Sequence, residues 1–409
     1  MSEQNLIIPN FKIELNNSKI ETDTIKLSFE QISDIFKQQK NVLIQATLKP
    51  SNILPPDLKS LHPILANFKK TVYFEGNLGG TLDSISFNNL DFEYEQDLHL
   101  KGNLQLKNLQ KTLSDIYVSA NIERLKFSVY GLQDIIASAQ KKPLMLPDEL
   151  YNLGTCLYTG NIQGHFRNLQ LHGLLHTNIA NIKTDVKLAV FNKFNDAKIT
   201  GSITSRNLHL KKLFPNSQFG DISFNISNDT EMGRSLPFSS KIVAKVSSLM
   251  FQDYVYQNLH FDGELKKRFF LGNIIFDDEN GKLNAQGSFD WDKNEPKFKF
   301  MAEIVGFNPY KTNLTKSYPD LAFNFKANSD FTGGDLDNMN GFFEIFDINL
   351  KNAEKEYTLD KVRLSSDDIA TNTHQMSVQS DIINGYITGS FIFKSLKNSI
   401  LNLVKEYIP

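Results

Sequence analysis

The sequence predicts a mainly β fold: an elongated, curved antiparallel sheet with a few short helices. Three observations predict it. Apolar and polar residues alternate along many short segments, turn residues separate these segments, and a strand phrase that contains glycine recurs along the chain. With 409 residues, of which 40% are hydrophobic, the chain has enough apolar side chains to fold and is not a disordered polymer.

Strict alternation defines the predicted strands. LHLKGNLQL, IKTDVKLAV, FKFMAEI, FNFKA and FFEIFDINL each place an apolar set on one face of a strand. The residues of these sets are Leu98, Leu100, Leu104, Leu106, Ile182, Val186, Leu188, Val190, Phe298, Phe300, Phe323, Phe325, Phe342 and Phe346, with Ile348 and Leu350 on the face of the last two. Turn signals such as DENG at residues 278–281 join the segments, which is typical of an antiparallel meander.

One short pattern recurs in the chain: an aromatic residue, any residue, Gly, Asn and an aliphatic residue. This recurring phrase occurs as FEGNLGG at 74–80 and as YTGNIQG at 158–164. Looser copies are KITGSI, TGGDLDNM and YITGSF, which begin at 198, 332 and 386. Glycine inside a strand marks a bulge or a sharp bend. The glycines predicted to bend strands are Gly76, Gly80, Gly160, Gly164, Gly201 and Gly389.

Helical patterns are few and short. We expect them around residues 32–36 and 132–139, at LPPDLKSL (54–61) and LPDELYNL (146–153), and in an amphipathic C-terminal helix at 395–408. Repetition of a helical turn followed by a strand meander predicts one continuous array over residues 1–409. Its approximate sub-units are 1–70, 71–157, 158–257 and 258–409.

The apolar face of such a sheet must be covered, by a second sheet, by closure into a barrel, or by a ligand in an open trough. The glycine bends and the 32 phenylalanines favour the trough. For each residue of the apolar sets, ordinary packing against a helix or a neighbouring turn remains the alternative.

Composition excludes several classes of protein. A net charge of −2 argues against nucleic-acid binding, and the single Cys156 excludes an internal disulfide framework. No run of 18 apolar residues predicts a transmembrane helix, and the N-terminus lacks the pattern of a signal peptide. If the protein works outside the cytoplasm, we expect an anchor or signal outside this chain.

No catalytic or metal-binding motif stands out. His172 and His176 have zinc-like spacing, but their segment is predicted to be a strand, where four residues span about 13 Å. DLDNMNG (335–341) resembles a calcium loop with misplaced ligands and is better explained as a hairpin turn. The carboxylates at 277–279 are interpreted as a solvated turn. We therefore expect no metal, no cofactor and no enzymatic activity.

Most of the chain resembles the TamB (translocation and assembly module) proteins of the AsmA-like family, in versions from Bacteroidetes-like bacteria. The resemblance lies in LPPDLKSL before YFEGNLGGTLDSISFNNL, in LPDELYNLGTCLYTGNIQGHFRNLQLHG, in NLHFDGELKKRFFLGNIIFDDENGKLNAQGSFDW from Asn258, and in the terminal YITGSFIFKSLKNSILNLVKEYI. It implies a repeating β-groove in the periplasm, with an inner-membrane anchor outside this chain. Neither that anchor nor the family's C-terminal partner-binding domain is recognisable here.

The resemblance further implies that the groove carries phospholipid from the inner to the outer membrane and takes part in outer-membrane biogenesis. The expected partners are phospholipid acyl chains and, through segments not in this chain, the outer-membrane assembly machinery. One alternative is a scaffold that receives outer-membrane β-strands by augmentation at a sheet edge. Another is a secreted β-solenoid hydrolase, which should carry a cluster of carboxylates on one sheet face; the sequence contains no such cluster.

Overall fold

A computed structural model describes residues 4–390 and 392, apart from 38–40, 61–62, 142–145, 192–195, 292–294, 336 and 371–372. The chain divides into two compact units, Met1–Ser217 (unit 1) and Gln218–Pro409 (unit 2). Of the predicted sub-unit boundaries, those after residues 157 and 257 fall inside strands. The predicted helix at 395–408 lies outside the described residues.

Unit 1 is built on an antiparallel sheet. Its strands are β1 (Gln4–Pro9), β2 (Lys12–Glu14), β3 (Lys19–Phe29), β4 (Leu43–Ile53), β5 (Val72–Thr81), β6 (Ser84–Tyr94), β7 (Leu98–Lys107), β8 (Tyr117–Ser128), β9 (Thr155–His165), β10 (Asn168–His176), β11 (Asn181–Phe191) and β12 (Asp196–His209). Both β1 and β2 pair with β3, and each strand from β3 to β11 pairs with the next one in the chain.

Unit 2 repeats this meander. Its strands are β13 (Phe219–Gly233), β14 (Ser239–Phe251), β15 (Tyr254–Lys266), β16 (Phe269–Asp278), β17 (Gly281–Asp290), β18 (Lys297–Phe307), β19 (Ala322–Thr332), β20 (Asn340–Lys351), β21 (Glu356–Ala370), β22 (Thr373–Ser380) and β23 (Asn384–Gly389). Each pairs antiparallel with the next. The predicted class, a mainly β fold of open antiparallel meanders with few short helices, is confirmed.

The helices are short, and all those within the described residues belong to unit 1. They are α1 (Asp34–Lys37), α2 (Val129–Gln140) and α3 (Leu210–Leu213), with 3₁₀ turns at Pro55–Leu58, Pro63–Asn67, Leu113–Asp115 and Asp148–Leu153. The hydroxyl of Ser128 caps α2 by accepting from the Gly131 amide at 3.0 Å. Within the described ranges, no helix has the length and apolarity needed to cross a membrane.

A line of bends crosses unit 1 at mid-strand, at Gly76, Gly102, Gly160 and Gly173, which we call the glycine belt. Gly102 and Gly160 both pair with Ile122, and Gly160 also pairs with Gly173. At Gly160, φ is +143°, and an added Cβ would lie 2.3 Å from the carbonyl oxygen of His172. Every pairing from β4–β5 to β8–β9 has a register shift near this level. Because bulges bend strands, the sheet of unit 1 bends along this line.

The other predicted bend glycines are also in positive-φ conformations. Across all six, φ runs from +123° at Gly80 to +151° at Gly389. The matching helical turns of the sequence form as 3₁₀ turns before β5 and β9. The hairpin predicted at DENG joins β16 to β17, with Glu279 and Asn280 in the turn.

The asparagine of the recurring phrase lies on the opposite face from its glycine. In unit 1 these residues form a cross-strand row that we call the asparagine ladder; its members are Asn77, Asn88, Asn103, Asn121 and Asn161. Neighbouring groups hydrogen-bond along it, for example Asn121 Nδ2 to Asn161 Oδ1 at 3.3 Å and Thr47 Oγ1 to Asn77 Oδ1 at 3.1 Å. The phrase therefore combines a bend on one face with a hydrogen-bonded amide row on the other.

Candidate functional site

The eight apolar residues predicted in unit 1 lie on one face of its sheet. Cross-strand pairing aligns them in rows, one of which runs through Leu104, Ala120, Ile162, Leu171 and Val186 on five consecutive strands. Parallel rows contain the other predicted residues, which are Leu98, Leu100, Leu106, Ile182, Leu188 and Val190. Unit 1 therefore presents an aliphatic face opposite the asparagine ladder.

This face is only half-buried. All eight predicted residues keep intermediate exposure, and the fully buried cluster beneath them consists of Ala120, Ile122 and Tyr158. Among the described residues of both units, the largest side chains with under 2% exposure are those of Thr312, Asp196, Cys156, Ser240 and Ser329. Single side chains on these faces are buried, such as Ile122 and Phe270 at 5% exposure, but the predicted residues around them are not. The described residues therefore do not seal the apolar faces.

The apolar face of unit 2 is aromatic. Seven rings form a continuous series of contacts, the phenylalanine array: Phe261, Phe270, Phe289, Phe298, Phe300, Phe331 and Phe343. Their centroids lie 4.6 to 6.4 Å apart, the range in which aromatic pairs attract. The predicted Phe298 and Phe300 belong to the array. The predicted Phe325 and Phe323 lie on the same face, opposite Ile304 and Leu350.

The structure corrects the assignment of Phe342 and Phe346. Their partners across β19 are Asp330 and Lys326, which belong to the charged face. The intervening residues of β20, Phe343 and Ile345, face the array instead. A bulge at Asp347, where φ is +55°, separates Phe342 and Phe346 from Ile348 and Leu350, so the four residues do not share a face.

Cys156 and Tyr158 lie on the apolar face of unit 1, and both are buried. Burial raises the pKa of the Cys156 thiol, so the thiol is protonated at neutral pH. Burial also raises the pKa of Tyr158, whose hydroxyl donates to the carbonyl oxygen of Asn161 at 3.1 Å. The Tyr158 ring covers the backbone of Gly173, where an added Cβ would lie 2.6 Å from the hydroxyl oxygen. Both side chains are therefore part of the apolar face of unit 1.

The opposite faces are polar and carry paired charges. Asp91 lies 2.5 Å from Lys101 Nζ and 2.6 Å from His99 Nε2. Burial raises the pKa of the Asp91 carboxyl, but hydrogen bonds with Lys101 and His99 outweigh burial and bring this pKa below its ordinary value. His172, which has the zinc-like spacing, is 62% exposed and lies 3.7 Å from Asp185.

The carboxylates predicted to form a solvated turn behave differently from one another. Asp277 is exposed, whereas Asp278 is only 6% exposed, which corrects the prediction for that residue. Asp278 accepts from the backbone amides of Gln257 and Asn280, both at 3.0 Å, and from the Tyr254 hydroxyl, so it stabilises the hairpin. Within the described ranges, no three His, Cys, Asp or Glu side chains converge as a metal site would require.

The array members Phe261, Phe270, Phe289, Phe331 and Phe343 were not predicted. Every second residue is apolar in segments such as FFLGNIIF, but only the pairing between strands shows that the rings contact each other. No protein-family model, no curated protein and no solved structure matches this chain.

Proposed function

We propose that this chain is a non-enzymatic lipid-carrying protein of the cell envelope. The apolar faces of its two units bind the acyl chains of phospholipids that pass through the periplasm between the inner and outer membranes. The observation that carries this proposal is the half-buried state of these faces, which have continuous aliphatic or aromatic rows and no charged side chain within those rows.

The energetics of lipid transfer support such a surface. A diacyl phospholipid has roughly 30 methylenes, and at about 0.8 kcal/mol each their exposure to water costs on the order of 24 kcal/mol. Crossing an aqueous compartment without cover is therefore extremely slow. An open apolar face removes most of this cost while it leaves the headgroup in water.

The repetition of the rows also supports transfer over storage. A carrier needs many weak and nearly equal contacts, because a single deep site would trap the lipid. Successive strands of unit 1 supply similar aliphatic contacts, as in the pairs of Leu188 with Leu169 and with Ile199. Such rows can contact an acyl chain at many similar positions, so the lipid is bound but can move along the face.

Leu188→Asp tests the proposal. A carboxylate on the aliphatic face should lower the amount of phospholipid that co-purifies with the protein, because the charge must stay hydrated where acyl chains bind. The measurement is lipid mass spectrometry on protein purified without detergent exchange. Lys187→Asp is the matched control, since Lys187 is exposed on the polar face next to Leu188, and this variant should retain its lipid.

Equal phospholipid in Leu188→Asp and the wild type would contradict the assignment of this face. Because unit 2 is unchanged in this variant, the expected result is a reduction and not a complete loss. Circular dichroism on both variants checks that the sheet remains folded.

The second candidate, an assembly scaffold, has one observation in its favour. Among the described residues, β1 pairs only with β3, its sequence QNLIIP has no charge, and Leu6 and Ile7 are 42% and 60% exposed. An uncharged, exposed edge strand is a template for pairing with another strand. Wild-type protein that co-purifies with outer-membrane β-strand proteins and without phospholipid would favour this candidate.

A further inference from the structure

A cleft of about 600 Å³ lies on the polar face of unit 2, over strands β16 to β20. Leu271, Asn273, Gln286, Met301, Asn328 and Phe342 border it. Its volume is within the range of small-ligand sites. Residues with the opposite orientation on these strands form the phenylalanine array, so the cleft opens on the other face of the sheet, although Phe300 of the array also borders it.

The amides in this cleft have unused hydrogen-bonding capacity. Asn273 occupies the asparagine position of the recurring phrase in FLGNI and pairs directly with Gln286 across the β16–β17 ladder. In unit 1, amides of the asparagine ladder bond to their neighbours. The side chains of Asn273, Gln286 and Asn328 make no hydrogen bond to any other described residue. Each of these three amides can donate and accept at once.

The charges at the cleft are already paired. Lys299 Nζ lies 2.8 Å from Asp330 Oδ2, and the two residues are direct cross-strand partners. At the far side, the guanidinium of Arg363 lies 4.0 Å from the centre of the Phe342 ring and 3.2 Å from Glu344. Because Lys299 and Asp330 carry opposite charges that cancel, the cleft offers no net charge to an ionic ligand and suits a neutral one.

Apolar contact surface is also present among these polar groups. Leu271 and Met301 are apolar side chains on the polar face, and they are 49% and 53% exposed. A fitting ligand therefore combines apolar C–H surface with many neutral groups that both donate and accept hydrogen bonds. Sugars have this combination, since every hydroxyl can donate and accept and the ring carbons are apolar.

We propose that this cleft binds a neutral oligosaccharide. The amides of Asn273, Gln286 and Asn328 bond to its hydroxyls, and Leu271 and Met301 contact its C–H surface. The chain of sugars runs across the strands, where the side chains repeat about every 4.8 Å. This binding does not depend on the lipid-carrying function.

Saturation-transfer NMR on the full chain tests the proposal, with maltohexaose, cellohexaose and chitohexaose as probes. At least one should bind in the millimolar range or more tightly. The double variant Asn273→Ala/Gln286→Ala should weaken that binding at least about tenfold, because two groups that each make hydrogen bonds are removed. Both side chains are exposed, so the thermal unfolding midpoint should stay unchanged.

Asn77→Ala is the matched control, since Asn77 holds the same place in the recurring phrase but lies in unit 1. It should bind the sugar as well as the wild type. The proposal is overturned if no hexasaccharide binds at millimolar concentration, or if the double variant binds as tightly as the wild type.

Discussion

Gly160→Ala is expected to destabilise unit 1 by roughly 2–4 kcal/mol. The residue has φ +143°, which L side chains rarely adopt, and the new Cβ would lie 2.3 Å from the His172 oxygen and 2.5 Å from Gly173 Cα. Both contacts are with backbone of the adjacent strand, which cannot move without breaking the β9–β10 ladder. Hydrogen exchange measured by mass spectrometry should show reduced protection in β9 and β10.

Gly79→Ala is the control within the same unit. Its Cβ would have ordinary van der Waals contact with the Ser86 hydroxyl at 3.4 Å, and its φ lies outside the region that favours glycine. Its stability should change by less than about 0.5 kcal/mol. Similar losses in the two variants would show that the glycine belt has no special role in bending the sheet.

Phe270→Ala is expected to cost unit 2 about 3–5 kcal/mol. The ring is 5% exposed and contacts Phe261 and Phe289 at centroid distances of 4.6 and 6.3 Å. It also covers the paired glycines Gly263 and Gly272, whose added Cβ atoms would lie 2.6 and 2.9 Å from it. Its removal leaves a cavity over bare backbone in the middle of the array.

The fluorescence of Trp291 can report the unfolding of unit 2. Trp291 is the only tryptophan of the chain, and its backbone amide donates to the carbonyl oxygen of Arg268 beside the start of β16. Its fluorescence during urea unfolding should show a lower midpoint for Phe270→Ala. Phe269→Ala is the control: Phe269 is half-buried on the other face, 5.8 Å from Lys266 Nζ, and its truncation should cost about 1 kcal/mol or less. Equal shifts for the two variants would contradict the central position of Phe270.

The faces of individual strands could be predicted where alternation is unambiguous. In β11, Ile182, Val186 and Leu188 face one way and lysines or an aspartate face the other, so burial decides the orientation. In β20, both alternating sets are apolar, and the bulge at Asp347 interrupts the period of two. Phe342 and Phe346 were therefore assigned to the wrong face.

Features that depend on pairing between strands could not be predicted. The asparagine ladder requires Asn121 to lie opposite both Asn103 and Asn161, and the phenylalanine array requires seven rings to align across six strands. Alternation within one segment contains no information on register between segments. The recurring Gly–Asn phrase was visible in the sequence, but only the fold shows that its two residues act on opposite faces.

Cross-linking with a phospholipid that carries a photoreactive group on its acyl chain tests the central claim most directly. If acyl chains lie on the apolar faces, mass spectrometry of the adducts should find labels at alternate residues, including Leu169 and Leu171 in β10 and Val186 and Leu188 in β11. The intervening Gln170 and Lys187 should remain unlabelled. Equal labelling of both sets, or labelling confined to the polar faces, would contradict the account.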